Sequence, residues 1–352
     1  MARLAFVFPG QGSQSIGMGV TLAAAWPQAA AAMVEADAVL GQSITDLIAN
    51  GPVEELDRTE NAQPALLATS IAFLRALELR AGDAGVTLQP AFAAGHSMGQ
   101  YSALVAAGAV SLADGLRLVR ERGRLMQASG EGRPGAMAAL MGMADEHLPE
   151  LEQRASALGV FGVANRNAPG QVVVSGERPA VEASLDIARE LGARKCVLLP
   201  VSVAAHSPMM AAAAAAMAPL VAAVPFADPV PPLLSNADAT PLADAGTARA
   251  ELVEHLTTGV DWVRVVNVMT AAGVDTFIEV GPGRVLTGLI KRIAPNARAV
   301  ALDDKAAPDG LAPAAVEAAL EASIEAASDI AIATPGRAAA ERTAARPHPD
   351  PV

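Results

Sequence analysis

The sequence is poor in cysteine, in aromatic residues and in positive charge. Cys196 is the single cysteine among 352 residues, which excludes an intramolecular disulfide and any metal site built from several cysteines, and which suits a reducing cytoplasm. Aromatic residues make up 3%, so the core must be built from Ala, Val, Leu and Met. The 25 Lys and Arg stand against 37 Asp and Glu, a formal net charge of −12. Phosphate groups need a basic surface, so general binding to nucleic acid or to an anionic membrane is not expected.

Long apolar runs are also scarce. The run at residues 4–8 is too short for the core of a signal peptide. The stretch between Lys195 and Asp228 carries no formal charge, but polar residues and prolines interrupt it and alanine is only weakly hydrophobic. We therefore expect a buried strand, a turn and an Ala-rich helix there, rather than a membrane span. A dinucleotide-binding glycine motif, a Walker motif and metal-ligand spacings are absent, so no metal site is expected.

Hydrophobic residues make up 52% of the chain and charged residues only 18%, so the chain can form a sizeable hydrophobic core. Apolar runs alternate with helical segments, which places the main body in the α/β class. Between about residues 130 and 199 a strand–helix–strand–helix–strand order resembles a small split sheet inserted into the larger one. We expect a discontinuous large domain at 1–129 and 202–310, an insertion at 130–201, and a C-terminal helix with a disordered tail at 311–352. The expected strands are 4–8, 90–95, 136–141, 171–175, 196–201 and 276–280.

Residues 95–99 read Gly-His-Ser-Met-Gly and fit the pattern G-x-S-x-G between a strand and a helix. The glycines allow a tight turn that presents the Ser97 hydroxyl at a helix N-terminus with free backbone N–H groups. The pattern predicts a nucleophile. The alternative is an ordinary glycine turn in which Ser97 only caps the helix.

A serine nucleophile needs a base, and His206 is the strongest candidate among five histidines. It follows an apolar run and precedes Ser207 and Pro208, a capping residue and a first helical residue. An imidazole at a helix N-terminus is disfavoured as a cation, so it can accept a proton. A histidine simply hydrogen-bonded at a strand end is the alternative, and His255 is the next candidate base.

Arg122 is the most informative charge in the chain. Its neighbours three and four residues away on a helix are all apolar, whereas those of Arg117 are mostly polar. The spacing predicts that Arg117 faces solvent and that Arg122 faces inward. A buried guanidinium needs an anion, either an internal Asp or Glu or a carboxylate on the substrate, which Arg binds with two parallel hydrogen bonds.

Backbone N–H groups that stabilise an oxyanion are expected at two places. Enzymes with this serine turn use the N–H of the following residue, here Met98, and one from a loop after another strand. The Pro-Gly-Gln-Gly loop at 9–12 could supply the second donor. An ordinary glycine loop is the alternative.

Taken together, these stretches resemble the malonyl-CoA:acyl-carrier-protein transacylases of fatty-acid synthesis and the related acyltransferase domains of polyketide synthases. The resemblance covers about residues 3 to 300 and implies an α/β-hydrolase-like large domain with a ferredoxin-like subdomain inserted near 130–200. It implies Ser97 as nucleophile, His206 as base, Arg122 as the clamp for the malonyl carboxylate, and the amides of Gln11 and Met98 as the oxyanion hole. The matching stretches are 8–14, 95–103, 122–123, 165–174, 201–206 and 279–288.

The resemblance also implies an activity. A malonyl group would pass from coenzyme A to Ser97 and then to the phosphopantetheine thiol of an acyl carrier protein, for fatty acid or polyketide synthesis. The coenzyme A thioester is then a substrate, and no cofactor or metal is implied. We expect malonyl-CoA and a carrier protein as partners, no nucleic acid or membrane partner, a cytoplasmic location and a monomer.

Two positions depart from the family pattern. His255 stands where the family usually has Gln; there a backbone carbonyl is thought to orient the catalytic histidine, and we count His255 among the substrate-binding residues. Residues 203–206 read Val-Ala-Ala-His, which is neither the His-Ala-Phe-His common for malonyl units nor the Tyr-Ala-Ser-His common for methylmalonyl units in polyketide acyltransferases. Met98 in place of Gln favours malonyl, although a methyl group gives only about 1–3 kcal/mol of discrimination.

Two other functions use the same residues. A serine esterase or thioesterase would need an acidic triad member, and no convincing one lies between Ser97 and His206. The third function is an inactive subunit that only binds a carrier protein. The presence of Ser97, His206 and an inward-facing Arg122 together argues against it.

Overall fold

The computed structural model describes residues 3–132 and 134–333, which contain eleven strands and fourteen α-helices. The strands are β1 Leu4–Phe8, β2 Pro90–Gly95, β3 Gly135–Met141, β4 Phe161–Ala168, β5 Gln171–Glu177, β6 Lys195–Leu198, β7 Leu233–Leu234, β8 Pro241–Leu242, β9 Val260–Asp261, β10 Thr276–Glu279 and β11 Arg298–Ala301. The helices are α1 Val20–Ala25, α2 Pro27–Leu40, α3 Ile44–Asn50, α4 Val53–Asp57, α5 Thr59–Asp83, α6 Gly99–Ala106, α7 Leu112–Gly132, α8 Leu148–Ser156, α9 Arg178–Glu190, α10 Ala211–Ala223, α11 Ala245–Glu254, α12 Trp262–Ala271, α13 Val285–Ile293 and α14 Pro313–Ala333.

The larger sheet has the strand order β11-β10-β1-β2-β7-β8 and is parallel except for the β7–β8 pair. All five residues of β1 are buried, as expected for a parallel strand that helices cover on both faces. Phe8 pairs with Gly95 at the ends of β1 and β2. The loops that follow these two strands therefore leave the sheet side by side, which is where ligands bind in open α/β sheets.

The second sheet has the order β6-β3-β5-β4-β9. Its first four strands are antiparallel, and β9 joins β4 in parallel from outside the expected insertion. The expected strand–helix–strand–helix–strand order was incomplete because β4 was missed. That strand carries a glycine and two asparagines, residues that are depleted in strands, and it is recognisable only as the partner of β5.

The uncharged stretch after residue 195 holds a strand and an Ala-rich helix, but the strand is not buried as expected. β6 is shorter than predicted, and Val197 and Leu198 are exposed, because β6 is the edge strand of its sheet. In residues 3–132 and 134–333, every helix is too short or too polar to cross a bilayer.

Helix boundaries agree with the sequence in part. Ser111 accepts from the backbone N–H of Asp114 at 3.0 Å and caps α7, as the capping-box spacing predicts. The sequence predicts a helix from about Pro64 to Arg80, whereas α5 begins at Thr59 and continues through Pro64. A C-terminal helix is present as α14, whereas the expected disordered tail lies outside the described residues.

Candidate active site

Ser97 lies in a sharp turn between β2 and α6. Its φ of 53° is in the left-handed region that non-glycine residues rarely adopt. The flanking glycines are required by close backbone contact: a Cβ on Gly95 would lie 1.9 Å from the carbonyl carbon of Gly99, and a Cβ on Gly99 would lie 2.2 Å from the carbonyl oxygen of Phe8. Strand and helix meet too closely here for any side chain, which explains the G-x-S-x-G pattern physically.

His206 is hydrogen-bonded to Ser97, with Nε2 2.8 Å from Ser97 Oγ. Its Nδ1 lies 2.8 Å from the carbonyl oxygen of His255 and 2.9 Å from that of Thr258. Both neighbours can only accept, so the proton must reside on Nδ1 and the lone pair of Nε2 faces the serine hydroxyl. This is the tautomer that a general base requires.

The protonation state of His206 follows mainly from burial. The side chain is buried, and burial first and the charge of Arg122 second lower its pKa to about 4. Ser207 caps the short helix Pro208–Met210 as predicted, accepting from the N–H of Met209. The helix terminus predicts a neutral imidazole, but desolvation is the larger cause of the low pKa.

Arg122 is 1% exposed and Arg117 is exposed, as their helical spacing predicts. The Arg122 guanidinium donates to Gln63 Oε1 at 2.9 Å, to Ser97 Oγ at 3.3 Å and to His255 Nε2 at 3.2 Å. All three partners are uncharged, and within the described ranges no Asp or Glu forms an ion pair with it. Its Nε is buried without a hydrogen-bond partner in that part of the chain. Burial lowers the pKa of Arg122, yet a guanidinium stays charged in proteins.

His255 lies between His206 and Arg122. Its Nδ1 is 2.9 Å from the carbonyl oxygen of Glu251 and therefore carries the proton, so Nε2 accepts from Arg122. Burial, and then the charge of Arg122, hold the pKa of His255 well below its usual value. His255, the second candidate for the base, thus contacts Arg122 rather than Ser97, and its carbonyl oxygen accepts from His206 Nδ1.

The two expected oxyanion donors occupy neighbouring loops. The loop after β1 packs on the serine turn so closely that a Cβ on Gly10 would lie 2.5 Å from the carbonyl oxygen of His96. Neither the backbone N–H of Gln11 nor that of Met98 has an acceptor among the residues described. Free N–H groups on both sides of a nucleophile are what a developing oxyanion needs.

Three residues at this site were not foreseen. Gln63 on α5 accepts from Arg122, Asn236 after β7 holds the serine turn, and Thr258 accepts from His206. Gln63 interrupts a long apolar stretch of α5. A polar side chain at such a position indicates a buried polar partner and could have identified this residue from the sequence. Asn236 and Thr258 lie in loops where the sequence has no distinguishing pattern.

Metal-binding geometry is not found at this site. Across 3–132 and 134–333, no group of three or more His, Cys, Asp or Glu is placed to hold a metal ion.

Residues 5–306 match the model of the acyl transferase domain family. This chain belongs to that family. It is 41% identical over 307 residues to the malonyl CoA-acyl carrier protein transacylase of Escherichia coli (strain K12), with 87% of this chain and 98% of the relative covered. The resemblance drawn from the sequence motifs is therefore confirmed.

Solved structures of the family have the same fold. An acyl carrier protein S-malonyltransferase from Vibrio cholerae superposes with a TM-score of 0.82 at 40% identity, covering 88% of this chain and 99% of that one. A malonyl-transacylase solved in complex with its type II PKS acyl-carrier protein superposes with a TM-score of 0.83 at 38% identity, covering 91% and 99%. This acyl transferase domain is a mixed α/β protein with two sheets.

Proposed function

We propose that this acyl transferase transfers a malonyl group from coenzyme A to the phosphopantetheine thiol of an acyl carrier protein, through a malonyl ester on Ser97. The observation that supports this most is the buried Arg122 guanidinium, whose partners in the described part of the chain are all neutral and which lies 3.3 Å from Ser97 Oγ. An unpaired buried cation is costly, and a carboxylate on the substrate would neutralise it. The malonyl group is an acyl group with such a carboxylate.

In the first half-reaction, the thioester carbonyl lies over Ser97 and the free carboxylate binds Arg122. His206 Nε2 accepts the hydroxyl proton as Oγ attacks the carbonyl carbon. The N–H groups of Gln11 and Met98 stabilise the oxyanion of the tetrahedral intermediate. The C–S bond then breaks, and the thiolate of coenzyme A leaves with the proton from His206.

In the second half-reaction, His206 accepts the proton of the phosphopantetheine thiol. The sulfur attacks the ester carbonyl, the bond to Ser97 Oγ breaks and the proton returns to Oγ. The two half-reactions give ping-pong kinetics. The names of the relatives support both substrates, since they are malonyl CoA-acyl carrier protein transacylases and one structure contains a carrier protein.

The esterase alternative uses the same turn but is not favoured by a specific contact. Among the residues described, His206 Nδ1 is held by two backbone carbonyls and by no carboxylate. An acidic triad member is therefore not required for orienting this base. Release of malonate without a carrier protein would support the hydrolase.

We also propose the finer architecture that the family resemblance implies. The order β6-β3-β5-β4, with α8 and α9 between the strands, supports a ferredoxin-like subdomain at about 130–201. The remaining segments 1–129 and 202–310 then form the α/β-hydrolase-like domain. The monomeric state and the cytoplasmic location remain predictions.

The decisive experiment is intact mass spectrometry after incubation with malonyl-CoA. The wild type should gain one malonyl group and lose it when a holo carrier protein is added. Ser97→Ala should gain none. A malonyl adduct on Ser97→Ala would exclude Ser97 as the nucleophile, and rapid loss of the adduct to water would favour the hydrolase.

A further inference from the structure

Asn236 clamps the serine turn from both sides. Its Oδ1 accepts from the backbone N–H of Ser97 at 2.8 Å, and its Nδ2 donates to the carbonyl oxygen of Gly95 at 3.0 Å. Ser97 has a strained positive φ, and such a conformation persists only where the surroundings fix it. These two hydrogen bonds therefore hold the nucleophile in its reactive position.

Asn236 is itself held by two long-range contacts. Its backbone N–H donates to Glu251 Oε1 at 2.7 Å, and its carbonyl oxygen accepts from the N–H of Asp261 at 2.7 Å. Asn236 is 1% exposed, so removal of the Glu251 carboxylate would leave a buried N–H without an acceptor. A buried N–H without an acceptor is unfavourable, so we expect the loop that carries Asn236 to shift when this carboxylate is removed.

Glu251 is an unusual residue for this position. It is a buried carboxyl without an ion pair in the part of the chain described, and burial raises its pKa to about 7. Its only hydrogen-bond donor among those residues is the Asn236 N–H. Burial of a carboxyl group is unfavourable. Because this one contacts only the Asn236 N–H among the described residues, we expect its role to be the positioning of Asn236.

We propose that Glu251 is a positioning residue for Ser97, acting through Asn236. This proposal rests on the proposed function only where malonyl-CoA is the reagent used to test it. The carboxyl of Glu251 fixes the Asn236 backbone, and the Asn236 side chain fixes the serine turn. The carbonyl oxygen of Glu251 also holds His255, so one turn of α11 supports both the nucleophile and the arginine clamp.

The test compares Glu251→Ala, Glu251→Gln and Glu254→Ala. Gln keeps an acceptor at the same reach and should retain wild-type rates, whereas Ala should lower the rate of Ser97 acylation at least about tenfold. Glu254 lies on the same turn, but its side chain is exposed, so Glu254→Ala is the matched control. If Glu251→Ala does not fold, Glu251→Asp, which withdraws the acceptor by one methylene, should show the loss instead.

Two rates are measured, acylation by malonyl-CoA and phosphorylation of Ser97 by diisopropyl fluorophosphate, which has no carboxylate for Arg122. Both rates should fall by the same factor in Glu251→Ala, with the KM for malonyl-CoA unchanged and the thermal midpoint close to that of Glu254→Ala. Equal rates in Glu251→Ala and Glu254→Ala would overturn the inference, as would a loss confined to KM. If the wild type is not malonylated, the proposed function fails, but the fluorophosphate rates still test the positioning.

A double-mutant cycle tests the route through Asn236. If Glu251 acts through this residue, Glu251→Ala should lower the rates no further in an Asn236→Ala background. Additive losses would show that Glu251 acts by another path and would overturn the proposal.

Discussion

Arg122 Nη2 lies 3.2 Å from His255 Nε2, so a permanent cation is oriented by the lone pair of a neutral imidazole. The same nitrogen of Arg122 also reaches Ser97 Oγ, while the carbonyl oxygen of His255 holds His206. His255 therefore holds Arg122 with its side chain and His206 with its backbone. A variant of this residue can separate the two roles, because substitution leaves the carbonyl in place.

Arg122→Ala should change acyl selectivity. Without the guanidinium, a malonyl carboxylate would be buried unpaired. The loss of transition-state stabilisation should be about 2–5 kcal/mol, which lowers kcat/KM for malonyl-CoA by roughly 30-fold to 5,000-fold. Acetyl-CoA has no carboxylate and should react as well as before or better. Acylation rates with both thioesters measure this, with Arg117→Ala, an exposed arginine on the same helix, as control. Equal losses for both acyl groups would contradict the clamp.

Variants of His255 should affect malonyl transfer according to whether they accept a hydrogen bond. His255→Leu removes the acceptor for Arg122 and should lower kcat/KM for malonyl-CoA by about tenfold, with little effect on acetyl-CoA. His255→Gln, which restores the residue usual in the family, should recover the rate. The comparison is made by quenched-flow acylation. Similar rates for Leu and Gln would mean that the imidazole does not orient Arg122.

The pH dependence of acylation should reflect the low pKa of His206. Since burial lowers this pKa from 6.5 to about 4, His206 is neutral over the neutral range, and the acylation rate should fall only as pH approaches 4. The unfolded chain binds a proton at His206 below pH 6.5, whereas the folded chain does so only near pH 4. The contribution of His206 to the free energy of unfolding is therefore fully present above pH 6.5 and is lost progressively as the pH falls from 6.5 to 4. Stopped-flow acylation and urea unfolding across pH 4–8 measure both effects. An apparent pKa near 6.5 for acylation would contradict a buried base.

The sequence predicts the position of a side chain where that position depends on a local pattern, such as helical spacing or a short glycine motif. Arg122 is predicted to be buried because its helical neighbours are apolar, and Ser97 is found because close strand–helix contact requires glycines on both sides. Contacts between distant loops have no such signal. The carbonyls that hold His206 lie 49 and 52 residues further along the chain, and the sequence alone does not show that they meet it.

The fold was predictable to the same extent. β1 and β2 are short apolar runs that end in glycine turns, and both have the predicted bounds. β4 is recognisable as a strand only through its pairing with β5, because its glycine and asparagines are residue types depleted in strands. The exposure of β6 depends on its place at the sheet edge, which is a property of topology rather than of its apolar residues.

Gly99→Ala should destabilise the protein and abolish acylation. The new Cβ would lie 2.2 Å from the carbonyl oxygen of Phe8 and 2.9 Å from that of Pro9, and these backbone atoms cannot move without disturbing β1. Overpacking costs about 1–3 kcal/mol, and a contact this close to backbone atoms should reach the upper end of that range or exceed it. Gly288→Ala is the matched control, because Gly288 lies within α13 and a Cβ there would meet nothing within 4 Å; it should stabilise by up to about 1 kcal/mol. Urea unfolding of both variants measures the difference, and a Gly99→Ala protein as stable as Gly288→Ala would show that the strand–helix contact at the nucleophile is looser than the structure has it.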